Sequence, residues 1–332
     1  MRLDIRYVTR FDYEASVVES QNELRACPAS DARQQLVHYD VTTTPSSRVS
    51  SYVDYWGTRI DTFGIRGPHR LLEVVAEATV ETLAVAPPDG SLPRAALDDV
   101  GFRDRHQELL QRSPHVYWGA TVTAAAQRHA AQAGDEVLDV VMSVHQAAAD
   151  LSYSPGATYV GVPVETVLAT GGGVCQDFAH LAIAMYRSLG IPARYVSGYF
   201  FTRDDATGAD VDVDEAPRGG HEDEAEAEVE VETHAWVEVA VPVEVAGGVG
   251  EVWLALDPTN RQPVGERHVT IGRGRDYDDV APFRGVFSGP PAHELNVSVR
   301  MRRLAREPLG DVPGSGDRYG VWQQRQQRQQ QQ

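Results

Sequence analysis

The stretch Gly171-Gly172-Gly173-Val174-Cys175-Gln176-Asp177-Phe178-Ala179-His180 decides how this chain is read. Three glycines interrupt the preceding pattern. From Cys175 to Leu189 the apolar residues Phe178, Leu181, Ala182, Met185 and Leu189 then recur at helical spacing, so a buried helix is expected there. Gly190 suits the left-handed position that closes a helix, and Pro192 prevents its continuation. Cys175 therefore opens a helix. The partial positive charge at that end favours a thiolate, and the first amide, lacking an intrahelical acceptor, can donate to an oxyanion. The glycines let a substrate backbone approach closely. A buried Cys that merely begins a buried helix is the plainer alternative.

Downstream, Ala193–Phe201, Val229–Val241 and Glu251–Leu256 read as strands. In the second, Val229, Val231, Thr233, Ala235, Val237 and Val239 fall on one face, and His234, Trp236 and Glu238 on the other. An imidazole facing away from the valine layer is available as a base, or is simply an exposed His on a half-wet strand. Asp257 follows the third strand in Leu256-Asp257-Pro258-Thr259-Asn260. Adjacent antiparallel strands can bring its carboxylate to the His234 ring, as in a nucleophile–base–acid triad. Asp before Pro is also a common turn former. A helix followed by several strands favours an α+β arrangement.

Upstream, Asp135–Leu151 carries Val137, Val140, Val141 and Val144 at near-helical spacing, and Val122–Ala131 is rich in helix-forming Ala. Residues 83–100, with Pro87-Pro88-Asp89-Gly90 and Pro93, have the composition of a connector. Residues 1–82 alternate short β-prone segments (Leu3–Val8, Gln35–Thr44, Arg48–Tyr55, Leu71–Val80) with turn residues, and Tyr55-Trp56-Gly57-Thr58-Arg59 reads as a hairpin turn. An all-β, sandwich-like N-terminal domain is expected, followed by a second domain over 101–310.

The chain has 332 residues and a net charge of −18, which argues against nucleic acid and anionic membranes as partners. All 30 basic residues are Arg. Thirteen acidic residues and one Arg crowd into Asp204–Glu232, so an acidic insertion over 204–228, flexible for most of its length, is expected near the His234 strand. Residues 311–332, ending in a Gln-rich run, are expected to be a disordered tail. Two cysteines, Cys27 and Cys175, do not make a disulfide framework, and neither a signal core nor an 18-residue apolar run is present. The expected location is the cytoplasm, with both thiols free.

Three blocks in order carry a family resemblance: Gly173–His180 with Leu189-Gly190-Ile191-Pro192-Ala193-Arg194-Tyr195-Val196-Ser197-Gly198-Tyr199; His234-Ala235-Trp236-Val237-Glu238-Val239; and Leu256–Asn260. They resemble the core of the transglutaminase-like superfamily. Val264-Gly265-Glu266-Arg267-His268-Val269 and Gly274-Arg275-Asp276-Tyr277-Asp278-Asp279-Val280 resemble its bacterial branch, which also carries an N-terminal β domain. The resemblance implies a papain-like α+β core and a catalytic triad of Cys175, His234 and Asp257. It implies acyl transfer or hydrolysis at a carboxamide or peptide bond. The alternatives are a cysteine peptidase or amidase on the same triad, or a binding protein that keeps the fold. The partner is then a protein, peptide or small-amide substrate. Tyr153 and Tyr199 are candidates for a second oxyanion donor.

No metal or cofactor is expected. His180 lies about 140° around the helix from Cys175, and Cys175, His180, His221 and His234 lack zinc-ligand spacing. Some transglutaminases require calcium, but the acidic insertion lacks the ordered spacing and Gly of an EF-hand loop.

Overall fold

The structure, a computed structural model, describes residues 1–156, 158–202, 228–289 and 292–304. The expected loop over most of the acidic insertion and the expected disordered tail lie outside the described residues.

The chain begins with four strands, β1 (Arg2–Leu24), β2 (Gln34–Thr44), β3 (Ser50–Val53) and β4 (Arg59–Thr82). Five helices follow, α1 (Val100–Arg105), α2 (Ala120–Gln132), α3 (Val137–Ala149), α4 (Val164–Thr170) and α5 (Cys175–Ser188), with the short parallel pair β5 (Ser152–Tyr153) and β6 (Gly172–Gly173) between them. Then come β7 (Ala193–Phe200), β8 (Val229–Val231), β9 (Thr233–Val245), β10 (Gly248–Asp257), β11 (Gln262–Pro263) and β12 (His268–Gly274). The single turn α6 (Tyr277–Val280) and strands β13 (Phe283–Ser288) and β14 (Ala292–Arg303) complete the described chain.

Two antiparallel sheets organise these elements. One runs β11-β10-β9-β7-β12. The other runs β2-β4-β1-β14-β8, with β3 on β4 and β13 on β1. The N-terminal strands are longer than their composition suggests. Polar residues interrupt the β-prone runs of β1, but its buried positions still mostly alternate, so the strand continues to Leu24 through irregularities between Asp12 and Glu19. The segment from Tyr55 to Thr58 does turn the chain. Asp54 Oδ1 accepts from the Trp56 and Thr58 N–H groups at 2.9 and 2.8 Å, and Gly57 takes φ 82°. Strands β13 and β14 come after the core sheet in sequence yet pair with β1.

Helices α2, α3 and α5 pack on one face of the core sheet, where Phe178, Leu181, Ala182 and Met185 meet Val237, Val239 and Val241. Burial of each large side chain there is worth about 1.5–3 kcal/mol. A second core lies between the sheets, where Tyr199, Phe201, Val269 and Ile271 meet Leu3, Ile5, Tyr7 and Val74. The face of β9 opposite its valines is therefore not half-wet. Trp236 is fully buried, and Glu238 is buried between Arg194 and Arg273, whose Nε atoms donate to its Oε2 at 2.7 and 2.9 Å.

Candidate active site

Cys175 is the first residue of α5, and the turn before it is held by Asp177. The Asp177 Oδ2 accepts from the Val174 N–H at 2.8 Å and from Thr158 Oγ1 at 2.6 Å. This satisfies one orphan amide and places a negative charge at the helix start. Gly173 has to be glycine: a Cβ there would lie 2.7 Å from the Asp177 Cβ and 2.6 Å from its Oδ2.

His234 is the second residue of β9, opposite Gly198 on β7. Asp257 is the last residue of β10, the neighbour of β9 on its other side. The two side chains meet, with His234 Nε2 2.8 Å from Asp257 Oδ2. Nε2 is thus committed to the carboxylate, and Nδ1 is the nitrogen left to serve another group. Cys175 and His234 line the same cleft of about 700 Å³, together with Tyr153, Gln176, Tyr195 and Glu232. Burial disfavours a charge on His234, but hydrogen bonds to Asp257 and Cys175 outweigh it and raise its pKa to about 9. The sequence-predicted trio is therefore gathered at one place.

Asp257 is fully buried and surrounded by donors. Its Oδ2 also accepts from His268 Nε2 at 3.0 Å and Asn260 Nδ2 at 2.7 Å. Its Oδ1 accepts from the N–H groups of Thr259 and Asn260 at 3.0 and 3.1 Å. Burial alone would favour the neutral acid, but the bonds from His234 and His268 hold the carboxyl well below its ordinary range.

His268, at the start of β12, is the functional side chain that sequence reasoning did not single out. Burial pushes its pKa down against the opposing pull of Asp257, so it is neutral. Its Nδ1 accepts from the Gly265 N–H at 3.2 Å, which leaves the proton on Nε2 for Asp257. The ring stands edge-on to Trp236 at 5.3 Å. Trp236 in turn lies over Gly198, where a Cβ would come within 2.5 Å of the indole and 2.1 Å of the Val269 carbonyl oxygen. Nothing local in the sequence marks His268, because strand pairing across the sheet brings it to Asp257. Asn260 had a local signal, since Asp-Pro-Thr-Asn is a side-chain-capped turn.

His234, Asp257 and His268 offer ligand atoms within 4.8 Å of one another. Both histidines contact the same carboxylate oxygen directly, so hydrogen bonds fill the space an ion would need. The other histidine near the helix, His180, faces away. It is buried, stacks on His115 at 5.4 Å, and accepts from the Tyr277 N–H at 3.2 Å. Burial, then His115 and Arg187, hold its pKa far below the ordinary value, which suits an acceptor. Of the two tyrosines suggested as oxyanion donors, Tyr153 lines the cleft. Tyr199 does not: it is buried between the sheets and stacks on Tyr7 at 6.4 Å. Gln176 Nε2 lines the cleft region as a buried donor with no partner among the described residues.

An antiparallel sheet backed by helices, with a helix-initial thiol beside an imidazole and a buried carboxylate, defines a papain-like thiol-enzyme architecture. Comparison with known proteins gives the family. Residues 3–81 match the bacterial transglutaminase-like N-terminal region, and residues 123–258 match the transglutaminase-like superfamily core. An uncharacterized protein of Mycobacterium leprae is 35% identical over 92% of this chain and 99% of its own length. One from Mycobacterium tuberculosis is 32% identical over 90% and 91%. The crystal structure of a Cytophaga hutchinsonii protein, described provisionally as a cysteine protease, superposes with a TM-score of 0.65 at 19% identity, covering 90% of each chain. The chain belongs to the transglutaminase-like superfamily. Among the described residues no helix is long and apolar enough to cross a membrane.

Proposed function

We propose that this protein is a thiol enzyme that transfers or hydrolyses the acyl group of a carboxamide or peptide bond, with Cys175 as nucleophile, His234 as proton carrier and Asp257 as the group that orients and charges the imidazole. One observation carries the reading: a single imidazole is bonded through Nε2 to a fully buried carboxylate at 2.8 Å and lines the same cleft as the thiol that opens α5. A binding role would not need the thiol, the imidazole and the carboxylate together.

In this reading the His234 imidazolium and the helix terminus favour the Cys175 thiolate. Sulfur attacks the amide carbonyl carbon, and the Cys175 N–H, which has no intrahelical acceptor, donates to the developing oxyanion. Tyr153 is the proposed second donor. Burial, then Cys175 and Glu232, push its hydroxyl pKa up, so it keeps its proton. The tetrahedral adduct collapses as the C–N bond breaks and His234 protonates the departing amine. Water or a second amine then attacks the thioester, giving its proton to His234 and releasing the sulfur. Hydrolysis is favoured as the second step by the provisional description of the Cytophaga hutchinsonii protein as a cysteine protease. The two free thiols fit a cytoplasmic enzyme.

Iodoacetamide tests the thiol. Burial pushes Cys27 up to about 11, so Cys175 should react at least about tenfold faster at neutral pH, and His234→Ala should slow the Cys175 reaction markedly while leaving Cys27 unchanged. Equal rates for the two cysteines in the folded protein refute the reading. Turnover of a carboxamide with and without an added primary amine then separates hydrolysis from transfer by product.

A further inference from the structure

We infer that β1, β13 and β14 build a subsite for an aromatic side chain on the acyl portion of the substrate, an inference that rests on the thiol reading above. The period-two alternation of β1 puts Thr9, Phe11 and Tyr13 on one face, and the register sets Phe11 opposite Leu295 and Thr9 opposite Val297 on β14. Beyond its irregular stretch, β1 pairs with β13 instead, with Ser20 opposite Phe287 and Asn22 opposite Gly285. Residues from both halves of β1 therefore line one trough of about 410 Å³. Its walls are rings: Phe11 and Phe283 lie 4.9 Å apart, Tyr13 and Phe287 5.5 Å. Gly285 keeps the floor open, since a Cβ there would sit 2.8 Å from the Asn22 Oδ1 and 3.3 Å from the Phe283 ring. Among the described residues no charged side chain lines the trough.

Two observations say that something enters it. Leu295, Phe287 and Val297 stand 55%, 43% and 49% exposed, side by side, where isolated exposure would be ordinary but a continuous patch marks a binding surface. The trough also opens into the cleft that holds Cys175: Thr233, Tyr277, Pro282 and Val297 are walls of both. Its volume is at the small end for ligand pockets, about 300–1,000 Å³, which suits one side chain rather than a whole ligand. An aromatic ring gains tilted ring contacts there beyond the area it buries.

Chemistry assigns the trough to the acyl side. The departing amine must lie where His234 can protonate it, and there the cleft carries Glu230 and Glu232 and continues past His234 to Asn260. The carboxylates there suit an amine and not an apolar ring. The trough contains none of these residues, so it receives the other half of the substrate.

The test compares the inactivation of Cys175 by an N-acyl-phenylalanyl chloromethyl ketone and by its glycyl counterpart, each normalised to the iodoacetamide rate of the same protein. In both reagents the sulfur displaces chloride, and only the side chain differs. The phenylalanyl reagent should react faster by roughly tenfold or more, a factor equal to about 1.4 kcal/mol. The ratio should fall below about threefold in Leu295→Arg and in Phe287→Arg, both at exposed positions where a folded product is expected. A normalised ratio near one in the unmodified protein, with Cys175 still reacting rapidly with iodoacetamide, overturns the subsite and leaves the thiol reading intact. A large ratio that both Arg variants preserve places the preference elsewhere and also overturns it. If Cys175 reacts no faster than Cys27 with any reagent, the thiol reading fails and this inference fails with it.

Discussion

Replacing Asp257 with Asn changes almost no volume and should still disable the site. The five donors around the carboxylate come from His234, His268, Asn260 and two backbone amides, and none of these groups is an acceptor there. An amide must put its NH2 at one of the two oxygen positions, where it either opposes a donor or turns His234 into the tautomer protonated on Nδ1, which cannot take the thiol proton. The clash costs about 1–3 kcal/mol for groups left unpaired in the interior. The charge is lost as well. The rise of His234 from 6.5 to about 9 corresponds to roughly 3 kcal/mol in favour of the imidazolium, and Asp257 supplies the leading favourable contribution to it. Without it His234 should titrate near or below 6.5 and be mostly neutral at pH 7.5. Carbamidomethylation of Cys175 at pH 7.5 should then slow by about ten- to several-hundredfold, measured by mass spectrometry with Cys27 as the buried internal standard. Imidazole proton shifts followed by NMR give the His234 titration directly. A folded Asp257→Asn protein with unchanged labelling and His234 still titrating near 9 would refute the reasoning.

Three further outcomes are expected. His268→Phe removes one donor to Oδ2 and should lower stability by about 1.5–3 kcal/mol in urea unfolding, while His268→Gln, which can still donate, should lose less. Glu238 is held down at about 2: burial opposes its charge, and the Arg194 and Arg273 charges overcome that. Its pKa is lower folded than unfolded, so its roughly 3 kcal/mol of stability is present above the ordinary 4.5 and lost as pH falls from there through 2, and Glu238→Gln should flatten that limb of a stability–pH curve. Gly173→Ala brings a Cβ against Asp177 and should cost about 1–3 kcal/mol while slowing Cys175 labelling, because the start of α5 must shift; a crystal structure of the variant with α5 unmoved would contradict this.

The site was more legible in the sequence than the surrounding fold. Cys175, His234 and Asp257 each carry a local signal, a glycine-led helix start, a period-two strand and an Asp-Pro turn, but each signal also has a plainer reading, and it is the family resemblance of the three blocks in order that singles them out together. His268 and Glu238 were not legible in the same way. Their roles depend on which strand lies beside which: β12 must pair with β7 for His268 to reach Asp257, and Arg194 and Arg273 come from two different strands to cover Glu238. The length of β1 was hidden because its outward positions are polar, and composition averages over both faces of a strand. Its pairing with β13 and β14 was hidden because no local pattern reports a partner nearly the whole chain away.

That pairing bears on how the protein is made. Leu3 sits opposite Arg303, so the central strand of the larger sheet has one of its neighbours far along the chain from it. During synthesis β4 can join β1 early, but the opposite edge of β1 stays open until β13 and β14 leave the ribosome. Such non-local closure is slow, because the entropy of a long loop is lost before its contacts form. An open edge of that length is a template for pairing with another chain. A nascent or C-terminally truncated chain ending before β13 is accordingly the form most exposed to aggregation and to chaperone capture.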